Sequence, residues 1–256
     1  MALVRTDVGI WVSASSFGTG AFTTGSFTPP SNSLLVVACS TMRDSGTNTT
    51  LGRPTITDSL GPLTWFEADF ANLTPFFSTQ ITVWWAEVAT GASMTITFDD
   101  PDNFTMYGYQ ACVFAFEGYD TSIPITGIID SGTGNIADGA HSLTLPDAPT
   151  VDDYSLIFLH IDADGAVANP GLDTDWVEAF DAGTSSGGGV LVGLYRTAST
   201  STTAAVTDVY TGAGSFFKGS MLTLNVKASA GAPVTPAVSP DISNHPKFIL
   251  AGRSTV

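Results

Sequence analysis

The strongest constraint on the fold of this chain is an internal repeat, in which five strand-like segments recur in the same order in each half. The series opens with Leu34 to Val37 in the first half and with Leu156 to Leu159 in the second. Its clearest letter match is W-x-E-A, at Trp65 to Ala68 and again at Trp176 to Ala179. Because chance rarely preserves the order of five segments, the repeat predicts two structurally related halves.

The repeated segments have the periodicity of β-strands. Ser33 to Ser40 is a continuous apolar run, as expected of a strand that is buried on both faces. Gln80 to Val88 alternates, so that Ile81, Val83 and Trp85 would point to one side of a sheet. No long window repeats apolar residues at helical spacing, because Gly, Thr and Ser interrupt every candidate. The sequence therefore predicts an all-β protein.

The predicted fold is a jelly-roll-like β-sandwich of two pseudo-repeated halves, at about 31–120 and 151–228. Each half alone has about five strands and would leave exposed sheet edges. The connection from Tyr119 to Pro149 contains further strand candidates, Ile125 to Ile129 and His141 to Leu145, so it does not resemble a flexible linker. We therefore expect one sandwich of roughly ten strands, whose sheets take strands from both halves.

Residues 229–256 differ from the sandwich predicted over residues 1–228. They are a Pro-rich tether that ends in an apolar triplet, Phe248, Ile249 and Leu250. Such a segment is extended and semi-rigid. It is either a disordered tail or a docking arm for a neighbouring subunit, in which the triplet adds as a strand to an exposed sheet edge.

The charge of the chain is strongly acidic, with 24 Asp and Glu against eight Lys and Arg, a net −16. Proteins that bind nucleic acid or anionic lipid need clustered cations, so we expect neither function of this chain. No window reaches 18 apolar residues, and the first residues do not form a secretory signal. We expect synthesis in the cytoplasm of a host and no membrane insertion.

Catalysis is not indicated by the polar residues. The histidines, His141, His160 and His245, are scattered, and no G-x-S-x-G motif is present. Glu67 and Glu178 occupy matched positions in the repeat and would be the best carboxylate pair for a glycosidase. Alternating strands make both more typical of solvent-facing residues. The prediction is therefore a protein that is not an enzyme and has no cofactor.

Calcium is the most plausible metal, since acidic residues crowd one region at Asp162, Asp164, Asp173 and Asp175. The spacing of an EF-hand is not met, and Asp is common in turns. Solvated turn residues are the favoured interpretation, and no metal site is predicted.

Cys39 and Cys112 both lie in apolar runs. Two buried free thiols are the favoured interpretation. A disulfide between neighbouring strands stays open, because the sequence does not supply the geometry.

Aromatic residues could bind sugars by stacking against the faces of sugar rings. The candidates for exposed rings are Trp11, Trp84, Phe76 and Phe77. The remaining tryptophans are expected in the core, at Trp65, Trp85 and Trp176.

Five segments together resemble a repeated β-sandwich domain of bacteriophage virion proteins, of the capsid decoration or minor tail type, and of related bacterial surface proteins. The resemblance covers about residues 31–226. Its motifs are an apolar strand, a Thr-Asp-Ser turn leading to Trp, an aromatic strand, a Thr-rich strand and a closing segment, at Leu34 to Val37, Thr57 to Trp65, Val83 to Trp85, Gly91 to Phe98 and Ala115 to Asp120.

The resemblance implies a sandwich fold and a place in the virion, and it implies no catalytic residues. We expect a virion structural protein that contacts other virion proteins, forms homo-oligomers and displays its sandwich on the particle. The alternative is a carbohydrate-binding module or adhesin for host attachment, which would bind a host-surface glycan. A depolymerase on the same scaffold is a third hypothesis.

Overall fold

The computed structural model describes residues 2–12, 20–44, 53–61, 63–73, 77–99, 106–130, 141–162, 171–172, 175–183, 189–207 and 218–230. All regular structure in these ranges is β, as predicted. The strands are β1 (Val4–Val12), β2 (Phe22–Thr23), β3 (Ser33–Asp44), β4 (Thr55–Asp58), β5 (Phe66–Leu73), β6 (Phe77–Val88), β7 (Ile96–Asp99), β8 (Met106–Glu117), β9 (Ile125–Asp130), β10 (His141–Thr144), β11 (Tyr154–Asp162), β12 (Gly171–Leu172), β13 (Val177–Gly183), β14 (Val190–Thr197), β15 (Thr203–Thr207) and β16 (Lys218–Val226).

The chain forms two eight-stranded units of identical topology. In the N-terminal unit, β1–β8, a five-stranded sheet has the order β1-β8-β3-β6-β5 and a three-stranded sheet has the order β2-β7-β4. In the C-terminal unit, β9–β16, the orders are β9-β16-β11-β14-β13 and β10-β15-β12. Every described strand pair is antiparallel. The repeat predicted from the sequence is therefore present, and its unit is a jelly-roll-like sandwich.

The expectation that sheets would mix strands of both halves is wrong. Each of the four described sheets takes its strands from one unit only. The strand candidates of the connection are β9 and β10, which open the C-terminal unit, and β1 and β2 open the N-terminal unit in the same way. With these strands added, each unit can complete both of its own sheets.

The W-x-E-A repeat encodes a β-bulge at the same place in both units. In β5, Glu67 lies opposite Trp84 and Asp69 lies opposite Val83, so Ala68 is the extra residue. In β13 the extra residue is Ala179, between Glu178 and Phe180. Both alanines pack against the core between the units. A small side chain suits the tighter backbone of a bulge, and such features are kept within a fold.

Register followed across the sheets from this bulge aligns the two units strand by strand. Trp84 leads to Val37 and then to Val113, while Leu194 leads to Ile157 and then to Thr223. The trace ends in both units at a second bulge, in β1 and in β9. Val37 therefore corresponds to Ile157, two residues from the alignment of the letters. A shift of two leaves every side chain on the same face, so periodicity does not detect it.

Four layers of sheet stack in the order three, five, five and three strands. Each five-stranded sheet packs its three-stranded partner on one face and the other unit's five-stranded sheet on the other. We call the apolar layer between the two units the central core. The continuous apolar run of β3 follows from this position, with Val36 in the central core and Val37 in the core of the N-terminal unit.

Phe114 of β8 is the main aromatic contact across the central core. Its ring lies 5.9 Å from Phe158 and 4.8 Å from Phe180, both in the C-terminal unit. It also lies over Gly193, where an added Cβ would stand 3.4 Å from the ring. A glycine inside a strand therefore provides a hole for a bulky ring. At the equivalent position of the N-terminal unit the residue is Val83.

The contacts between the units follow a pseudo-twofold axis. β1 contacts β13, and its equivalent β9 contacts β5. In the same way β8 contacts β13 and β14, while β16 contacts β5 and β6. The same sheet face is thus used by both partners, as in an isologous dimer interface, although here one chain supplies both partners.

One hydrogen bond from a buried side chain joins the units at the end of the central core. Ser40 donates to the Gln110 Oε1 at 2.6 Å, and Gln110 Nε2 donates to the carbonyl of Gly189 at 3.2 Å. Both side chains are fully buried. The bond fixes the register of one unit on the other, because an unpaired buried carbonyl or amide would be costly.

Replacing Gln110 by Met should lower the free energy of unfolding by about 1–3 kcal/mol, because the Gly189 carbonyl loses its buried donor. Urea denaturation followed by tryptophan fluorescence measures the change. The exposed Thr57→Val substitution is the control and should stay within about 0.5 kcal/mol of the wild type. Equal stability of the Gln110→Met variant would show that this bond does not hold the units together.

Candidate functional site

The Thr-Asp-Ser turn that carries the virion resemblance has a structural role. The carboxylate of Asp58 accepts hydrogen bonds from the backbone N–H groups of Leu60 and Leu63, each at 3.1 Å. It also accepts one from the Trp65 indole N–H at 3.1 Å. One carboxylate therefore shapes the turn between β4 and β5 and fixes the tryptophan at the start of β5.

Of the predicted sugar-stacking residues, the structure describes the side chains of Trp11 and Trp84, and neither ring is fully exposed. Trp84 is only 4% exposed and packs in the core of the N-terminal unit, so its proposed glycan contact is contradicted. Trp11 is partly buried against Phe27 at 5.3 Å. Phe76, and the side chain of Phe77, lie outside the described residues. Alternation failed at Trp84 because both faces of β6 are buried.

An aromatic pair at the edge strand β5 was missed by sequence reasoning. Phe66 stacks on Trp85 with ring centroids 4.3 Å apart, and 46% of Phe66 is exposed. Trp85 is held at the rim of the central core. The outer face of Phe66 is therefore a rigid apolar platform. The only signal in the sequence was its place beside the predicted core residue Trp65.

The glutamates matched by the repeat, Glu67 and Glu178, are exposed, as the alternation predicted. Glu67 pairs with Arg53 at 2.5 Å. The two belong to different sheets and lie on edge strands at opposite sides of the central core. Four strand spacings of about 4.8 Å put them roughly 20 Å apart or more. A glycosidase pair must be within about 10 Å, so these two cannot act together.

The acidic residues considered for calcium are largely beyond what the structure describes. Asp164 and Asp173 lie outside the described residues, as does the side chain of Asp162. Asp175 is exposed in a turn before β13. Among the described residues no group of His, Cys, Asp and Glu is arranged to hold a metal ion.

The two cysteines are free and buried, which confirms the favoured interpretation. Cys39 lies opposite Ala111, and Cys112 lies opposite Ala38. A displacement of one residue puts the thiols on opposite faces of the sheet, so they cannot form a disulfide. Burial raises the pKa of both thiols.

The cationic side chains that the structure describes are all engaged with neighbouring groups. Arg5 pairs with Asp7 and lies over the Tyr195 ring at 3.1 Å. Arg196 donates to the carbonyls of Ser201 and Thr203, at the start of β15, and stacks on Trp176. In the same described ranges, no helix is long and apolar enough to cross a membrane.

A carboxylate clamp fixes the point where the chain leaves the C-terminal unit. Asp153 accepts hydrogen bonds from the Lys227 ammonium at 2.5 Å and from the Ala228 N–H at 2.9 Å. Burial alone raises the pKa of Asp153, but the bonds from Lys227, Thr150 and Ala228 together hold it below its ordinary value. Ala228 also forms a β-bridge with Tyr119. The clamp thereby ties the ends of both units together.

A groove of about 500 Å³ lies beside this clamp, between the ends of β6 and β8. Val88, Ala89 and Tyr119 supply apolar surface, and Glu87 supplies a carboxylate. The Tyr119 hydroxyl donates to Glu87, and burial, with this neighbouring charge, raises the pKa of the tyrosine. Ser229 completes the wall, so the groove adjoins the start of the C-terminal segment. Phe248, Ile249 and Leu250 lie outside the described residues.

His160 of β11 is fully buried on the face that forms the central core. It lies opposite Ser220 of β16, at the register position where the N-terminal unit has Ser40 opposite Gln110. Neither ring nitrogen of His160 has a hydrogen-bond partner among the described residues, and neither has the Ser220 hydroxyl. Burial lowers the pKa of His160 to about 3, so the ring is neutral in the folded protein.

His160 should make the protein less stable as the pH falls from 6.5 towards 3. The unfolded chain binds its proton near pH 6.5 and the folded chain near pH 3, so unfolding takes up a proton in this window. The loss is about 1.4 kcal/mol per pH unit. Between pH 7 and pH 5, the free energy of unfolding measured with urea should therefore fall by about 2 kcal/mol less in His160→Leu than in the wild type. Parallel pH profiles would contradict a buried neutral ring.

Comparisons with protein-family models, with curated proteins and with solved structures find no match to this chain. The resemblance to phage virion domains therefore rests on the motifs of the sequence.

Proposed function

We propose that the chain is a structural protein of a bacteriophage virion, a capsid decoration or minor tail protein that displays its β-sandwich on the particle. The observation that carries the proposal is the architecture, two jelly-roll-like units fixed back to back by a shared central core. Jelly rolls recur in viral capsids, and a fold alone does not assign a function. The virion motifs of the sequence supply the second support.

The outward faces of the molecule suit display. On the three-stranded sheet of the N-terminal unit, Thr23 and Thr97 share a hydrogen bond of 2.9 Å, and Thr57 lies opposite Thr97 on the other side. Ser26 and Ser93 form a similar pair at 2.7 Å. These uncharged hydroxyl groups favour solubility and cross-strand pairing. The carboxylates of Asp58 and Asp153, by contrast, accept hydrogen bonds from other groups of the chain.

Purified virions should contain the chain in many copies, measured by quantitative mass spectrometry, and immunogold labelling should place it on the head or the tail. A chain ending at Ala230 keeps all described strands and should keep its thermal unfolding midpoint, but it should be lost from particles because the arm is missing. Particles without the full chain, from lysates that contain it, would overturn the proposal.

Glycan binding is a second candidate, favoured by the exposed platform of Phe66 on Trp85. Aromatic faces stack on the apolar faces of sugar rings, and a ring already held by a neighbour loses little conformational freedom on binding. Attachment to a host-surface glycan would be compatible with a place in the virion. One site on one unit would give weak binding, which many copies on a particle would strengthen.

A glycan array with and without calcium tests this candidate. Phe66→Ala should weaken the strongest signal by about tenfold, which equals ~1.4 kcal/mol. Val177→Ala is the matched control, because Val177 holds the equivalent position of the C-terminal unit and is equally exposed. An array without signals, or equal loss in both variants, would remove the platform as a glycan site.

A further inference from the structure

The C-terminal segment differs in charge from the rest of the chain. Residues 229–256 contain Lys247, Arg253 and a single acid, Asp241. The remaining residues, 1–228, hold six Lys and Arg against 23 Asp and Glu, a net −17. A weakly cationic segment therefore follows a strongly acidic body, and the two attract each other. The cations Lys247 and Arg253 flank the apolar triplet Phe248 to Leu250.

The groove beside the clamp matches this chemistry. It combines apolar surface from Val88, Ala89 and Tyr119 with the Glu87 carboxylate at its side. Its volume of about 500 Å³ is in the range of sites that enclose a small ligand or a few side chains. An apolar triplet with a preceding lysine can place its side chains in the groove and its ammonium beside Glu87.

The position of the groove favours a second copy of this chain as the source of the segment that fills it. Ser229 forms part of the groove wall, and Ala228 is held by Asp153 and by Tyr119. Lys247 follows Ser229 by 18 residues that include Pro233, Pro236, Pro240 and Pro246. At about 3.1 Å per residue, such a stretch can extend ~55 Å. A stretch of this length is long enough to reach a neighbouring molecule.

We propose that the tip of the C-terminal segment, Lys247 to Arg253, docks in the groove of a second copy of this chain. Phe248 to Leu250 pack on Val88, Ala89 and Tyr119, and Lys247 pairs with Glu87. The contact is heterologous, so root and tip link successive copies into a ring or a row. The inference builds on the proposed function, since it supplies the way in which copies of a virion protein would join.

The groove is a better receptor than the sheet edges. Addition of a strand needs a regular row of free backbone groups. The outer strands β5 and β13 each contain a bulge at their third residue, Ala68 and Ala179, which interrupts such a row. Bulges at edges are a common protection against strand addition. We therefore favour docking of the triplet at the ends of β6 and β8 over its addition to a sheet edge.

Charge reversal in the full chain tests the proposal. Glu87→Lys and Lys247→Glu should each weaken self-association by about tenfold, measured by sedimentation equilibrium at low salt, and the double variant should restore it. Glu178→Lys is the matched control, since it reverses an exposed glutamate away from the groove and should leave association unchanged. Thermal unfolding midpoints confirm that each variant is folded.

The inference is overturned if the chain is monomeric at all concentrations, if both single reversals associate like the wild type, or if the double variant fails to recover. A chain that associates through this contact but is missing from purified virions would overturn the proposed function and leave the inference standing. A chain that is found in virions but does not associate through the groove would overturn the inference and leave the proposed function standing.

Discussion

Burial of two five-stranded sheets against each other is the interaction on which the rest of this structure depends. Each sheet has an apolar inner face, turned to its small partner sheet, and an apolar outer face that only the other unit covers. Fully burying a large apolar side chain contributes about 1.5–3 kcal/mol, and rings such as Phe114, Phe116 and Phe158 all lie in this layer. The two units therefore have separate sheets, but each depends on the other to bury its outer apolar face.

The sequence allowed much of the fold to be predicted, because strand order and period-two alternation are local properties. It did not reveal that the sheets stay separate, since pairing partners are chosen by packing over long distances. It also misplaced the equivalence of β3 and β11 by two residues, because a displacement of two keeps Val37 and Ile157 on the same kind of face. The shared W-x-E-A was a better guide, since a bulge needs a particular residue at a particular place.

The candidate sites were harder to predict, for a reason that follows from the double burial. In a sheet with one wet face, alternation separates buried rings from exposed ones. In β6 both faces are covered, so Trp84 looks like a surface residue by pattern and is buried in fact, while Phe66 on the edge strand is half exposed. The groove is made by strand ends and by the last residues of the other unit, and no local pattern marks such a meeting of distant segments.

The ring of Phe114 in the hole at Gly193 breaks the pseudo-twofold symmetry, and this asymmetry bears on synthesis. The N-terminal unit leaves the ribosome first. At that stage the outer face of its five-stranded sheet is uncovered, and neighbouring nascent chains expose the same face. In a pair of two N-terminal units, each Phe114 would meet Val83, whose methyl groups fill the space that Gly193 leaves free. The Phe114 ring therefore fits the C-terminal unit of its own chain better than a second N-terminal unit, which disfavours pairing between nascent chains.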